Sequence, residues 1–242
     1  MNPQRGEILC FNKPYTWTSF DLVNKVRGIL RHRTRNKKLK VGHAGTLDPL
    51  ATGVLIICSG KATKRIDELQ AGVKEYVATL KIGATTPSFD KETEEDATYP
   101  TGHITKALIE DSLQQFVGTI EQIPPSFSAV RVNGKRAYQM ARKGQDIELK
   151  PKKLTIDEIE LLDCNLPNQI RIRVVCSKGT YIRALARDIG AALHSGAYLT
   201  DLCRTRIGQY KLEDCMDITE FDDWLNKQTI EIENDNDTKT KS

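Results

Sequence analysis

Two segments of the chain, residues 75–82 and 170–176, alternate between two faces with the period of two that is typical of half-buried β-strands. In the first segment, one face contains Tyr76, Ala78, Leu80 and Ile82. A short, wholly apolar run at Val54–Cys58 is typical of a buried strand. Residues 6–14 predict a further strand, which ends at Pro14 because proline has no backbone N–H to donate.

Three other segments have the apolar spacing and the end signals of helices. Thr18 or Ser19 is expected to cap the first helix. Its predicted apolar face contains Phe20, Val23, Val26, Ile29 and Leu30. A second helix is predicted over Thr105–Val117 and a third from about Tyr181 to His194. Strands and helices mix without regular βαβ alternation, which predicts an α+β fold with a mixed, largely antiparallel central sheet flanked by helices and loops.

Composition places the chain among ordinary globular proteins. It has 242 residues, of which 39% are hydrophobic, enough for one large domain or two small ones. It has no apolar stretch long enough for a membrane span or a signal peptide, so we expect a cytoplasmic protein. None of its six cysteines forms a CxxC pair, and we expect most of them to be small buried residues.

The distribution of charge is more informative than the net charge of +4. Residues 31–40 carry six basic residues and no acid, and residues 131–153 carry eight against two acids. Clusters of this kind bind phosphates and release counterions, which favours a nucleic-acid partner. The alternative is a solvated surface in each case. We expect the first cluster to be a loop, and the second to lie in a hairpin or thumb over about residues 124–153.

The most informative segment is Gly42–Gly53, with the sequence GHAGTLDPLATG. Its small residues let the backbone approach a ligand closely, and its polar side chains are His43 and Asp48. The segment that follows is not a Walker phosphate loop, because Leu55 and Ala62 stand where that pattern requires a glycine and a hydroxyl residue. A metal site is also disfavoured, because no third ligand has a recognisable spacing.

Asp48 is open to two interpretations when it is considered alone. An aspartate followed by proline is typical of a helix N-cap, with Pro49 in the first turn. Asp48 is also a candidate nucleophile, because a carboxylate is ionised at neutral pH.

Five ordered motifs resemble the TruB-type family of pseudouridine synthases over nearly the whole chain, residues 6–224. They are Lys13-Pro14 with Thr18-Ser19; the segment Gly42–Gly53; Lys74-Glu75-Tyr76; Gln122-Ile123-Pro124-Pro125 with Ser128-Ala129; and Ser177-Lys178-Gly179-Thr180-Tyr181-Ile182-Arg183. The resemblance implies a pseudouridine synthase fold and one catalytic domain over residues 1–228, followed by a polar, disordered tail at 229–242.

The resemblance also implies a role for individual residues. Asp48 would be the catalytic nucleophile, and Arg183 would pair with it and keep it ionised. Tyr76 would stack on a flipped target base, and Tyr181 would line the same pocket. Considered alone, each tyrosine is also typical of a core aromatic, and Arg183 of a surface arginine.

The same resemblance implies two further substrate contacts and the residues that bind the RNA backbone. Leu202 would be a pocket residue, and His43 would fill or brace the gap that the flipped base leaves in the RNA. Lys13 and Lys64 would hold the RNA backbone together with the basic regions. Considered alone, Leu202 could also be an ordinary core leucine, and His43 could be an ordinary histidine in a loop.

The implied substrate is the uridine at position 55 in the T arm of tRNA, with no metal, organic cofactor, protein partner or membrane required. Family members often carry a further C-terminal RNA-binding domain, and we expect this chain to lack it. The family usually has glycine two residues after the proline of the first motif, so Thr16 argues against a left-handed backbone there.

Two rival functions remain open. One is a non-catalytic RNA-binding or chaperone module on the same fold, which would bind RNA without Asp48. The other is a carboxylate hydrolase that acts on a nucleoside or sugar, which normally needs a second acid near the nucleophile.

Overall fold

The computed structural model describes residues 1–128, 131–132, 135–136, 138, 140 and 149–231 of the chain. In chain order the described strands are β1 (Ile8–Lys13), β2 (Val41–Ala44), β3 (Ala51–Ser59), β4 (Lys74–Ile82), β5 (Ala84–Thr85), β6 (Ala97–Thr98), β7 (Gly118–Gln122), β8 (Arg131–Val132), β9 (Lys135–Arg136), β10 (Lys152–Asn165), β11 (Gln169–Cys176), β12 (Ala197–Ile207) and β13 (Tyr210–Lys211). The described α-helices are α1 (Ser19–Thr34), α2 (Ile66–Ala71), α3 (Lys106–Gln114), α4 (Ile182–Ala192) and α5 (Phe221–Asn226), with 3₁₀ turns at Gly60–Arg65 and Leu212–Asp214.

These elements fall into two units. The first unit contains Met1–Gly72 and the described residues from Arg204 onward, and the second contains Val73–Cys203. The pairings β1–β3, β2–β3, β4–β11, β10–β11 and β7–β10 are all antiparallel. Isolated parallel bridges join Phe11 to Met216 and Asp90 to Leu199. The predicted α+β class with largely antiparallel strands is confirmed.

In the first unit, β3 lies between two layers of apolar side chains. Leu55 and Ile57 pack with α1 and α5. In the same layer, the rings of Phe11 on β1 and Phe221 on α5 meet edge to face, with their centroids 5.1 Å apart. The alternate residues of β3 pack on the opposite side with Ile207. Burial of both faces explains why this strand is apolar throughout, and the predicted buried strand is confirmed.

Helix α1 begins at the predicted cap. The Thr18 hydroxyl accepts a hydrogen bond from Asp21 N at 3.0 Å, and Asp21 Oδ2 accepts one from Thr18 N at 2.9 Å. This capping box satisfies two backbone donors at the helix start. Phe20 is wrongly placed on the predicted apolar face: it is 58% exposed, and the Arg27 guanidinium lies 5.6 Å from its ring centroid.

The end of α1 lies further along the chain than predicted. The helix continues to Thr34, which is buried and donates its hydroxyl hydrogen bond to Leu30 O at 2.7 Å. Arg35 then adopts a left-handed conformation with φ of 53° and ends the helix. The first half of the basic stretch is therefore helical, and the prediction of a loop was wrong there.

Thr16 adopts the left-handed conformation that its side chain argued against. Its φ is 69°, and its N–H donates to Pro49 O at 2.9 Å. This hydrogen bond ties the loop after β1 to the segment that contains Asp48. The contact holds a β-branched residue in a region that glycine adopts more readily.

In the second unit, β4, β11, β10 and β7 are neighbours in that order. On β4 the buried and partly exposed residues alternate as predicted, and Tyr76, Ala78 and Leu80 face Val174, Ile172 and Ile170 of β11. The two predicted strands are therefore confirmed, and their apolar faces form one cross-strand layer.

The helices of the second unit are shorter than predicted. Thr105 caps α3 through a hydrogen bond from Leu108 N at 3.2 Å, but the helix ends at Gln114 rather than Val117. Tyr181 is the N-cap residue of α4, which ends at Ala192, two residues before the predicted end. These are errors at the frayed ends of correctly predicted helices.

Two long strands were not predicted at all. In β10 the alternation is interrupted by irregularities between Ile156 and Glu158 and between Leu161 and Asp163. Each extra residue reverses the face on which the following side chains lie, so no period of two survives in the sequence. In β12 polar residues dominate the second half of the strand, which removes the apolar signal.

Some predictions fall partly outside the described residues. Within residues 124–153, β8 and β9 pair antiparallel, as a hairpin requires, but residues 129–130, 133–134, 137, 139 and 141–148 lie outside the described part. Residues 232–242 of the predicted tail also lie outside it. The described start of that tail binds the chain's amino terminus, since Met1 N donates to Thr229 O at 2.7 Å.

Two properties concern the described part of the chain as a whole. None of the helices in the described ranges is long and apolar enough to cross a membrane. Cys58 and Cys176 are buried, whereas the other four cysteines are only half-buried. The prediction that most of the six are core residues was therefore wrong.

Candidate active site

Asp48 lies on a tight turn between β2 and β3. Ala51 N donates to Asp48 O at 3.1 Å, and Pro49 occupies the position of that turn which proline favours. A strand, not a helix, follows the turn, so the interpretation of Asp48 as a helix N-cap is wrong. Asp48 is half-buried.

The start of α1 fixes the residue before Asp48. Leu47 N donates to the hydroxyl of Ser19 at 2.8 Å, and Leu47 O lies 3.1 Å from the same hydroxyl. Both groups are buried. The single hydroxyl therefore satisfies the donor and the acceptor of one loop residue and sets the direction in which the turn leaves the core.

Lys13 holds the turn from a second side. Its side chain is fully buried, and Nζ donates to Trp17 O at 2.5 Å, to Pro14 O at 2.9 Å and to Pro49 O at 3.3 Å. Three carbonyl oxygens occupy the three donors of the ammonium group. The resemblance gave Lys13 to the RNA backbone, whereas the structure places it beneath the Asp48 turn.

Arg204 holds the other end of the loop. It is 1% exposed, and its guanidinium donates to Val54 O at 2.9 Å, Gly45 O at 3.0 Å and Thr46 O at 3.4 Å. A Cβ on Gly53, whose φ is 102°, would lie 2.2 Å from Arg204 O. This close approach explains why glycine is required at the end of the motif.

Lys13 interacts electrostatically with Asp48 and with the second buried cation, Arg204. The pKa of Lys13 is lowered to about 8, mainly because the side chain is buried; the Asp48 carboxylate raises it and the positive charge of Arg204 lowers it. The charge on Asp48 therefore supports the ammonium form of Lys13, and Arg204 opposes it.

This arrangement predicts that the charge of Asp48 affects the titration of Lys13. Replacing Asp48 with asparagine removes the negative charge that supports the ammonium form, so the pKa of Lys13 should fall below about 8. A ¹³C–¹H NMR titration of labelled lysine side chains measures this, with Lys13→Arg to assign the signal. Asp67→Asn, at an exposed carboxylate of the same unit, is the control. A Lys13 pKa that is the same in both variants would show that the two groups do not interact.

His43 lies on β2, opposite Ile57 of β3. Its Nδ1 atom is buried and has no hydrogen-bond partner among the described residues. Burial, with a smaller effect from Arg204, lowers the pKa of the imidazole below its ordinary value. His43 is therefore neutral at physiological pH and offers a ring surface rather than a charge.

The second unit contains the other predicted site residues. Tyr76 lies on the buried face of β4 and is 8% exposed, and Leu202 of β12 is also buried. Tyr181 is held by the buried Gln122: its N–H donates to Gln122 Oε1 at 2.9 Å, and its carbonyl accepts from Gln122 Nε2 at 3.2 Å. The amide of Gln122 thus fixes the backbone at the start of α4.

Arg183 is buried in the first turn of α4 and not on the surface. Its guanidinium donates to Phe127 O at 2.9 Å and Ser88 O at 3.3 Å, and its Nε lies 3.5 Å from Asp90 Oδ2. Asp90 in turn accepts a hydrogen bond from the Ser88 hydroxyl at 2.6 Å. Asp90 was missed in the sequence because it lies in an acidic loop, where a buried carboxylate has no distinguishing pattern.

Comparisons with known proteins match nearly the whole chain. The model of the TruB family pseudouridylate synthase N-terminal domain matches residues 31–182, and that of the tRNA pseudouridylate synthase B C-terminal domain matches residues 183–235. The chain is similar to proteins named tRNA pseudouridine synthase B from Phocaeicola vulgatus, with 67% identity over 96% of this chain and 98% of that one, and from Bacteroides thetaiotaomicron, with 64% identity over 98% and 100%.

Two solved structures contain similar chains. One is the crystal structure of a Cbf5-Nop10-Gar1 complex, with 29% identity and a TM-score of 0.69 over 92% of this chain and 55% of that one. The other is an H/ACA RNP bound to a substrate RNA containing 2'-deoxyuridine, with 28% identity and a TM-score of 0.65 over 92% and 54%. This chain therefore spans about half the length of either solved chain.

Proposed function

Because the chain belongs to the TruB family of pseudouridylate synthases, we propose that it converts the uridine at position 55 in the T arm of tRNA to pseudouridine. It is an isomerase with the pseudouridine synthase fold. The observation that carries the proposal is the Asp48 turn, whose backbone is held on one side by Lys13 and on the other by Arg204.

The reaction requires a nucleophile that is fixed in direction. The bond between ribose C1' and uracil N1 breaks, the base rotates, and C1' forms a new bond to uracil C5. We assign the nucleophile to the Asp48 carboxylate, which attacks C1' or uracil C6 or supports a glycal route through loss of a ribose proton. Each route uses the carboxylate form of Asp48.

Arg183 supports the reaction from a rigid position. Its contacts with Asp90, Ser88 and Phe127 fix the guanidinium within the second unit. A bidentate arginine can hold a carboxylate in one orientation. Asp48 and Arg183 belong to different units, and the pairing expected between them stays a prediction.

The target base lies inside a folded RNA loop, so it must leave its stack before it reaches Asp48. We assign Tyr76 to stacking on the flipped base, and Tyr181 and Leu202 to the walls of its pocket. His43, which is neutral and has an available ring surface, braces the gap in the RNA. The fixed backbone of Tyr181 keeps one wall of the pocket in place before the RNA binds.

We assign contacts with the RNA backbone to lysines of the basic stretch and of the following 3₁₀ turn, and not to Arg31 or Arg33. Arg31 donates to Leu39 O at 3.0 Å, and Arg33 pairs with Asp222 at 2.7 Å, so both stabilise the first unit. A cavity of about 280 Å³ lies between the end of the basic stretch and the 3₁₀ turn Gly60–Arg65. Its lining includes four exposed lysines: Lys38, Lys40, Lys61 and Lys64.

Removing two of these charges should weaken tRNA binding several-fold and make it less sensitive to salt. The double variant Lys38→Gln with Lys61→Gln releases fewer counterions, so the slope of log K against log salt should fall by about 2 in magnitude. Filter binding between low and moderate salt measures the slope. The matched control is Lys211→Gln with Lys227→Gln, which makes the same charge change outside the cavity. Equal slopes in the two variants would remove the lysine cavity from the RNA interface.

The function is tested by release of tritium from tRNA labelled at uridine C5. Formation of the new carbon–carbon bond displaces the C5 hydrogen, so turnover releases tritium to water. We expect release from unmodified tRNA and from an isolated T-arm stem-loop, and none when uridine 55 is replaced with cytidine. Binding without tritium release would support the RNA-binding rival, and free uracil in the products would support the hydrolase. The cytoplasmic location and the single catalytic domain over residues 1–228 stay predictions.

A further inference from the structure

Two cysteines far apart in the sequence meet in the first unit. Cys10 lies on β1, and Cys215 directly follows the 3₁₀ turn Leu212–Asp214. Their sulfur atoms are 2.7 Å apart, and both residues are half-buried. A disulfide bond is about 2.05 Å long, so a small rotation of the side chains would bring the two atoms to bonding distance.

The backbone holds this contact in place. Met216 N donates to Cys10 O at 3.0 Å, and Asn12 N donates to Met216 O at 3.0 Å. Phe11 and Met216 form a parallel bridge, so the residues that precede them, Cys10 and Cys215, are lateral neighbours. The two thiols are therefore brought together by paired backbone and not by a mobile loop.

We propose that Cys10 and Cys215 are a reversible oxidation site, at which hydrogen peroxide converts the two thiols to a disulfide. The inference concerns a site outside the RNA chemistry and does not rest on the proposed function. The bond would join β1, which carries Lys13, to the segment between β13 and α5.

The reaction is balanced by one molecule of peroxide. The Cys215 thiolate attacks one peroxide oxygen, the O–O bond breaks, and the leaving hydroxide takes up a proton to form water, which leaves a sulfenic acid. The Cys10 sulfur then attacks the Cys215 sulfur, the S–O bond breaks, and the proton of Cys10 leaves with the hydroxide as a second water. Two thiols lose two electrons in total, and the peroxide gains them.

The surroundings favour Cys215 as the sulfur that attacks first. A hydrogen bond from the Cys10 thiol lowers the pKa of Cys215, with a smaller contribution from Arg204, while burial and Asp214 oppose it. The same contact raises the pKa of Cys10, which keeps its proton. Burial raises the pKa of Cys58 and of Cys176 to about 11, so these two are poor nucleophiles.

The test is a peroxide titration of the full-length protein followed by peptide mapping. We expect the loss of two free thiols and a cross-linked pair of tryptic peptides, Gly6–Lys25 with Leu212–Lys227, that dithiothreitol separates. The disulfide lowers the conformational entropy of the unfolded chain. The oxidised protein should therefore melt roughly 5–10 °C higher than the reduced protein. Cys10→Ser should stop the reaction at a Cys215 sulfenic acid that dimedone captures.

Cys164 and Cys203 provide the matched control, because they are half-buried to a similar degree but lie on β10 and β12. The double variant Cys164→Ser with Cys203→Ser should keep the cross-link and the rise in Tm. The proposal is overturned if peroxide modifies wild-type Cys164 as fast as Cys215, or if no Cys10–Cys215 peptide pair forms. The wild-type measurement decides this even if a cysteine variant does not fold.

Discussion

We expect the replacement of Asp48 with asparagine to lower the single-turnover rate by roughly 10⁴-fold or more, because a carboxamide is not a competent nucleophile. Affinity for tRNA should stay within about tenfold of wild type, since the lysines around the cavity are unchanged. Rapid-quench tritium release measures the rate, and filter binding measures the affinity.

The structure indicates that this variant keeps its fold. The turn depends on the Asp48 carbonyl, which accepts from Ala51 N, and on contacts of its neighbours with Ser19 and Lys13. None of these contacts needs the carboxylate charge. Asp67→Asn, at an exposed carboxylate of α2, is the matched control and should keep the wild-type rate. An Asp48→Asn protein with most of its turnover would rule out the nucleophile.

The second large effect concerns Tyr76. If its hydroxyl takes part in proton transfer, Tyr76→Phe should lower the single-turnover rate by roughly 10²-fold or more. Stability and tRNA affinity should hardly change, because the ring remains on the buried face of β4 and still stacks on the base. Tyr76→Leu removes the stacking surface as well and should cost more.

Tyr198 offers a matched control for Tyr76. It is also a buried tyrosine of the second unit, 7% exposed, and its hydroxyl donates to Glu95 Oε1 at 2.8 Å. Tyr198→Phe loses one hydrogen bond and should keep nearly the wild-type rate. If Tyr76→Phe also has the wild-type rate, Tyr76 is a stacking or packing residue and its hydroxyl has no chemical role.

The parts of the fold that the sequence predicted well are those where one local signal agrees with the packing. Strand β4 alternates because one face is buried, β3 is apolar because both faces are buried, and Thr18 caps α1 with its side chain. Where a strand is irregular, as β10 is at Glu158 and Asp163, the period disappears and prediction fails.

The residues of the candidate site also differ in whether the sequence predicted them. Asp48, His43 and Lys13 stand in motifs that are visible in the sequence, whereas Arg204 and Asp90 look like ordinary surface charges. Their burial depends on carbonyl oxygens and charges from distant parts of the chain, such as Val54 O for Arg204. A single sequence contains no local signal for a cation that long-range contacts bury.

The same contacts explain why resemblance alone assigned Lys13 incompletely. The motif placed it near the substrate RNA, but its three donors are used by Pro14, Trp17 and Pro49. A lysine in that position stabilises the loop that carries Asp48, whereas the lysines of the cavity are exposed.

The most direct test of the central claim is to map pseudouridine in an unmodified tRNA transcript after incubation with the wild-type protein and with Asp48→Asn. Carbodiimide modification followed by primer extension locates each pseudouridine as a stop. We predict one stop, at position 55, with the wild-type protein and none with Asp48→Asn. A stop at position 55 with both proteins, or no stop with either, would contradict the assignment of Asp48 as the nucleophile of a tRNA pseudouridine-55 synthase.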